Sequence, residues 1–413
     1  MTTVSVRFIG WLLKHRSKTE YSSGSFQLTS PILSENTGSV IQVGESPMHI
    51  SVPYLENYQT SPYSGISRVI NSLTTNLTEV SISDADVVSS RLPILRNVIK
   101  KPRVHGHSDL LLLPNMTSAI MLAYTSMPSV VIVHDIGILD CPEDRFETNW
   151  ITKKIILYSL QCLRKASQIV TVSCFTANRL KTWLPEVDAR IVTIPSGVSD
   201  VFYDFELSRN DSRVHLLEIL KRPILRHPLL LYVGTESPRK NVRLLLQMLT
   251  RVKQYFPSAH LMKIGNAGNK QFRTRTLQEM SRLGLTSEDV SFVDQLSDWD
   301  LAAAYRAADL YVSGSLYEGF CLPVAEARVI GTPVVAVEGG AISEIIGPHD
   351  FMTKSDPQIF TETVIAQLGN RSAKPVGGNR SIPDILRWSE VARQYYSVFE
   401  MTIDNHREDS TVV

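Results

Sequence analysis

From His49 to Val337 the chain repeatedly alternates short, nearly continuous apolar runs with longer amphipathic stretches. A run that is apolar on every residue has two faces to bury, and amphipathic crossover helices cover both faces of a parallel strand. This pattern points to an α/β fold. The first series of expected strands is His49–Pro53, Val80–Ile82, Asp109–Leu113, Val130–His134, Gln168–Val172 and Arg190–Ile194, with helices at Gly65–Leu77 and Thr152–Lys165. A second series has strands at Leu229–Gly234, His260–Gly265, Val290–Asp294, Leu310–Gly314 and Pro333–Val337. Its helices are expected at Asn241–Tyr255, Gln271–Leu283, Trp299–Ala307 and Pro323–Ile330.

A length of 413 residues exceeds one typical domain, so the two series read as two Rossmann-like domains. The expected boundaries are an irregular extension at 1–45, rich in Ser, Gly and Thr, and a first domain at 46–203. A polar linker with a short helix follows at 204–228, then a second domain at 229–384. A terminal amphipathic helix at 385–402 and a fraying tail at 403–413 complete the chain.

Forty-two basic against 41 acidic residues leave a formal charge of +1, without the basic excess of a nucleic-acid binder. Cys141, Cys162, Cys174 and Cys321 are scattered without metal-site or disulfide-scaffold spacing, which favours a reducing cytoplasm. No apolar run approaches the roughly 18 residues of a membrane span. At the N-terminus the basic residues follow the short apolar stretch, the reverse of a signal peptide. Residues 5–18 are nevertheless a candidate for peripheral contact with an anionic membrane, on its inner face, as is the basic patch at 96–107.

The chemistry concentrates at 313–347, where a loop leaving a strand holds Glu318, Gly319 and Phe320 and enters a helix that contains Glu326. Gly319 allows close approach of a ligand, and the N–H groups opening the helix at Leu322 suit a phosphate. Glu326, a turn inside, is placed to accept hydrogen bonds from two vicinal hydroxyls such as those of a ribose. Each glutamate alone could equally be a solvated surface acid; the constellation argues otherwise. In the loop after Gly234, Arg239 and Lys240 can neutralise a diphosphate, one as a planar fork and one as a mobile point charge. His134 stands at the C-terminal end of a strand, where open α/β sheets place ligands. Ser64 and Gly65 precede a helix, and Gly65 permits donor or acceptor to approach its start.

Glu318, seven intervening residues and Glu326, within an E-G-F-x-L-P-x-x-E-A segment followed by G-T-P-V-V-A, resemble the signature of retaining GT-B glycosyltransferases, the glycosyl transferases group 1 family. Residues 232–246, with Pro238-Arg239-Lys240-Asn241, resemble that family's diphosphate loop, although Thr235 stands where many members have Arg. The resemblance covers roughly 48–402 and implies a GT-B fold with two Rossmann-like domains facing across a cleft. It also implies a C-terminal helix crossing back to the first domain.

By this resemblance Glu326 holds the nucleotide ribose, Glu318 orients the transferred sugar, and the amides of Phe320, Cys321 and Leu322 meet sugar and phosphate. Lys240 and Arg239 would stabilise the leaving diphosphate, and His134 would contact the donor sugar across the cleft. Gly234, Thr235 and Gly265, with Gly268 beyond, fall on the nucleotide side, and Ser64 and Gly65 on the acceptor side. The implied activity is retaining transfer of a hexose, mannose favoured, from a nucleotide-diphosphate sugar to a glycan or lipid-linked acceptor. No metal or other cofactor is expected. The alternatives are a nucleotide-sugar epimerase or a phosphorylase of the same plan, or a noncatalytic nucleotide- or sugar-binding protein on the same scaffold.

Overall fold

The structure is a computed structural model that describes residues 47–60, 65–89, 100–104, 107–141, 150–221, 227–370 and 385–411. The expected N-terminal extension, its 5–18 segment and Ser64 lie outside the described residues.

The first sheet is built from β1 (Met48–Pro53), β2 (Val80–Ser89), β3 (Lys100–Arg103), β4 (Leu110–Leu113), β5 (Ser129–Val133), β6 (Gln168–Thr171) and β7 (Ile191–Thr193). Their spatial order is β3-β2-β1-β4-β5-β6-β7, parallel except for the antiparallel edge strand β3. The reversal of order beside β1 makes the topological switch point at which such sheets bind ligands. Leu110 to Leu113 and Val130 to Val133 are completely buried, as two-sided cover demands. The basic patch read at 96–107 thus contains a strand: Lys100, Lys101 and Arg103 sit on an edge, where charge discourages pairing with another chain.

Helices α1 (Gly65–Asn76), α2 (Trp150–Leu163) and α3 (Cys174–Trp183) cover this sheet. Ser173 caps α3 by accepting a hydrogen bond from the Thr176 N–H.

Helix α4 (Arg209–Leu220) occupies the expected linker and packs on the second domain, where Arg213 bonds Asp309 at 3.1 Å. The second sheet comprises β8 (Leu229–Val233), β9 (His260–Ile264), β10 (Val290–Val293), β11 (Leu310–Ser313), β12 (Val334–Val337) and β13 (Phe351–Thr353), the last not foreseen from sequence. All pair in parallel, in the order β10-β9-β8-β11-β12-β13. Helices α5 (Val242–Val252), α6 (Lys270–Arg282), α7 (Asp298–Ala307), α8 (Leu322–Ile330) and α9 (Pro357–Gly369) flank it. α5 buries Leu245, Met248, Leu249 and Val252 at helical spacing against the sheet.

The last helix, α10 (Trp388–Thr411), runs well past the expected end at 402 and takes in most of the tail expected to fray. It returns to the first domain, packing on α1, and its Val391, Tyr395 and Phe399 share a core with Val69, Ile70 and Leu73. Its approach is fixed by a bond from the Tyr203 hydroxyl to the Ile385 carbonyl (2.7 Å) and by Arg387 lying between Asp200 and Asp204. Phe399 is fully buried, so Phe399→Ala should cost about 3–5 kcal/mol by transfer and cavity terms together. A urea titration of the first-domain transition measures this.

Candidate functional site between the two sheets

The loop from β11 into α8 carries Glu318 to the interdomain cleft. Its path is dictated by backbone contacts that leave no room for side chains. A Cβ on Gly319 would lie 1.8 Å from the His134 carbonyl oxygen. Gly340, at φ +70°, passes under Glu318, whose carbonyl accepts the Ala341 N–H at 2.9 Å. Cys321 adopts a left-handed φ of +76° without being glycine, and Pro323 follows in the first turn of α8. Such strain concentrates where a backbone must present its groups to a ligand. The Val324 N–H turns back to the Cys321 carbonyl at 3.0 Å and Pro323 has none, so the helix offers its first amide at Leu322.

Lys240 and Arg239 lie in a single helical turn between β8 and α5, entered through Gly234 and Thr235 and closed by Asn241 in a left-handed conformation. Both cations reach Glu318: Lys240 Nζ is 2.5 Å from Oε1, and Arg239 Nη1 is 3.2 Å from Oε2 and 3.0 Å from the Tyr317 carbonyl. Burial pushes the Glu318 carboxyl upward. The charges of Lys240 and Arg239 outweigh it and hold the group at about 2.

His134 leaves the end of β5, and its Nε2–H donates to the Pro114 carbonyl at 2.9 Å. A carbonyl can only accept, so Nε2 carries the proton and Nδ1 keeps a lone pair. Burial lowers its pKa and favours this neutral form. The nucleotide-side glycines also converge: a Cβ on Gly265 would meet the Gly234 carbonyl at 3.0 Å, and one on Gly268 would touch Thr235 at 3.5 Å.

Glu326 is bound in a way its sequence position did not announce. Its Oε1 pairs with Arg68 Nη1 at 2.8 Å, and its Oε2 accepts from the Tyr305 hydroxyl at 2.8 Å. Arg68 projects from the first turn of α1, just beyond Gly65, and also reaches Asp298 at 3.3 Å. Further ties cross the cleft, among them a bond from the Thr176 hydroxyl to the Gly319 carbonyl at 3.4 Å. The Tyr317 hydroxyl donates to Asp140 (3.0 Å), which Arg179 holds through two bonds, and Glu344 accepts the Cys174 and Phe175 N–H groups at the start of α3.

The structure therefore gathers His134, Arg239, Lys240 and the 318–322 loop at one place, with Gly234, Thr235, Gly265 and Gly268 beside them. Glu326 sits farther along, with Gly65 at the opposite edge. Sequence reasoning missed Arg68, Tyr305, Tyr317 and Asp140. Of these only Arg68 had a signal, as a cation one helical turn after a glycine at a helix start.

Residues 227–370 match the family described as Glycosyl transferases group 1. The chain is 25% identical over 302 residues to the MMP alpha-(1->4)-mannosyltransferase of Mycolicibacterium hassiacum, covering 70% of this chain and 68% of that one. It is 27% identical over 323 residues to the phosphatidyl-myo-inositol mannosyltransferase of Mycobacterium tuberculosis, covering 75% and 78%. Among solved structures, sucrose-phosphate synthase from Thermosynechococcus elongatus superposes with a TM-score of 0.69 at 17% identity, covering 87% of this chain and all (100%) of that one. Anabaena HepE in complex with UDP and glucose gives 0.64 at 16%, covering 86% and 99%. The shared architecture is GT-B, two Rossmann-like domains.

The folded-state pKa of Glu318 lies near 2, below its ordinary 4.5. A depressed carboxylate contributes stability that is full above the unfolded value and is lost as pH falls through the folded one. Stability should thus fall between about pH 5 and pH 2, and Glu318→Gln should lack this share of the loss. Urea midpoints of both proteins across that range provide the comparison.

Proposed function

We propose that this chain, a glycosyltransferase whose residues 227–370 form a glycosyl transferases group 1 domain, transfers mannose with retention of anomeric configuration. The donor is a nucleotide-diphosphate sugar, and the acceptor is a glycan or lipid-linked glycan. The observation that carries this reading is the pairing of Glu318 with both Lys240 and Arg239 beside the start of α8. A buried carboxylate held by two cations next to open helix-start amides forms a site of mixed charge, suited to a ligand that is part hydroxyl and part diphosphate. The mannosyltransferases among the relatives favour mannose as the sugar.

In this reading the diphosphate draws Lys240 and Arg239 towards itself and accepts the amides near Leu322. Charge on the leaving oxygen rises as the glycosidic bond breaks, so cations already placed there stabilise the transition state more than the ground state. Released from them, Glu318 accepts sugar hydroxyls. His134 contributes its Nδ1 lone pair and its backbone to the sugar and need not act as a base. The acceptor hydroxyl attacks from the face that the diphosphate leaves, which retains configuration. The two glutamates are not a glycosidase pair, because neither protonates the leaving group or attacks the sugar. The positive charge comes from Lys240 and Arg239, without a divalent ion. The proposed location is the cytoplasm, where peripheral contact with the inner face of a membrane would bring a lipid-linked acceptor within reach. Among the described residues no helix is long and apolar enough to cross one.

Thermal-shift titration with UDP, GDP and their sugar conjugates tests the donor site. One nucleotide should raise the melting temperature, by about 2.7 kcal/mol of stabilisation at 100 times its Kd. Glu326→Ala and Lys240→Ala should abolish the shift, and the one-bond C1–H1 NMR coupling of the new linkage should report an α product. If no nucleotide stabilises the folded parent chain, the transferase assignment fails and a binding role on this scaffold replaces it.

A further inference from the structure

Glu326 is closed off on both of its oxygens. Its side chain is 2% exposed, Tyr305 beneath it takes one oxygen, and Arg68 from the opposite domain covers the other with its own side chain 26% exposed. Arg68 is itself held by a second carboxylate, Asp298, at 3.3 Å. The guanidinium therefore has a place to remain when it leaves Glu326, and the glutamate keeps the Tyr305 hydroxyl. Neither group is stranded by separation. Two ribose hydroxyls can reach the Glu326 carboxylate only if Arg68 moves, since both cannot fill the same small opening.

We infer that Arg68 is the residue through which the first domain competes with the donor ribose for Glu326. It holds the Glu326 carboxylate in the empty cleft and yields it to the two ribose hydroxyls. This deepens the donor-site reading and rests on it. Nucleotide binding becomes an exchange: one charge-assisted bond across the domains is replaced by two hydroxyl bonds from the ligand. Arg68 stays with Asp298, and the start of α1, with Gly65 at its tip, is released from the second domain. The apparent affinity is reduced by the fraction of molecules in which the pair is closed. A nucleotide lacking the 2′ and 3′ hydroxyls cannot make the exchange. Arg68 is thus a positioning residue whose hold on Glu326 taxes ribonucleotides and narrows their advantage over deoxy analogues.

The test is calorimetric titration of the full chain, at fixed salt, with the nucleotide that stabilises it and with the 2′,3′-dideoxy form of that nucleotide. Arg68→Gln should bind the ribonucleotide about five- to thirtyfold more tightly than the parent, the lower part of the range of a typical intersite coupling. The dideoxy nucleotide should gain much less. Arg68→Lys, which keeps the charge but loses the planar contact, should fall between and serves if the glutamine variant does not fold. Unchanged affinity in either folded variant overturns the exchange. Weaker affinity overturns it too and makes Arg68 part of the bound donor site. A parent chain that binds no nucleotide overturns this inference and the donor-site reading together, which is a different outcome from binding that ignores Arg68.

Discussion

Two carboxylates buried in an interdomain cleft are the constraint around which this molecule is arranged. An isolated buried carboxylate is expensive enough that it is either neutralised or paired. Glu318 and Glu326 are paired, each in a different manner. Glu318 draws both cations from its own domain, through the turn between β8 and α5. Glu326 draws one from the opposite domain and takes a tyrosine hydroxyl as well. In the empty state, therefore, positive groups suited to a diphosphate and negative groups suited to hydroxyls satisfy one another. A ligand bearing both kinds of group can replace these internal partners with its own, so the hydrogen-bonding capacity of both carboxylates stays satisfied.

The fold supplies the positions through strand ends and through places where side chains are excluded. β8 and β11, parallel neighbours in one sheet, direct the Arg239–Lys240 turn and the Glu318 loop to the same edge, and β5 of the other sheet brings His134 to face them. The register of the two domains is then set by backbone. Gly319 presses against the His134 carbonyl so closely that any side chain there would force the domains apart. The long α10, anchored at Tyr203 and Arg387, ties the end of the second domain to the outside of the first, so the cleft has a fixed hinge side.

Much of this was legible in the sequence, for physical reasons that also explain the rest. Strands buried on both faces are continuous apolar runs, which is why β4, β5, β8 and β11 were recognisable within a residue of their ends. β3 was hidden because an edge strand is free to be basic and half-solvated, and Lys100-Lys101-Pro102-Arg103 has the composition of a solvated patch. β13, Phe351–Thr353, was hidden because three residues are too short to stand out as a run. The end of α10 is polar, and its helicity comes from continuation of a packed helix. Glu318, Gly319, Lys240 and Glu326 were found because their spacing is local. Arg68 and Tyr305 were not, since their importance comes from a contact between residues 68 and 326 and another between 305 and 326 that only the folded chain creates.

The ties across the cleft differ in how readily they can be exchanged. Glu344 reaches the start of α3 from an exposed position, where water and salt compete with it and its contribution is small. The Tyr317 hydroxyl meets an Asp140 already saturated by Arg179 and Trp183, so this contact adds little charge compensation that is not already present. Arg68 is the exception: it compensates a carboxylate that has no other cation among the described residues, and it has Asp298 to retreat to. Breaking the first two contacts gives a ligand nothing to bind. Breaking the third exposes a carboxylate oxygen that can accept new donors, so this crossing is the one whose loss a hydroxyl-bearing ligand could offset.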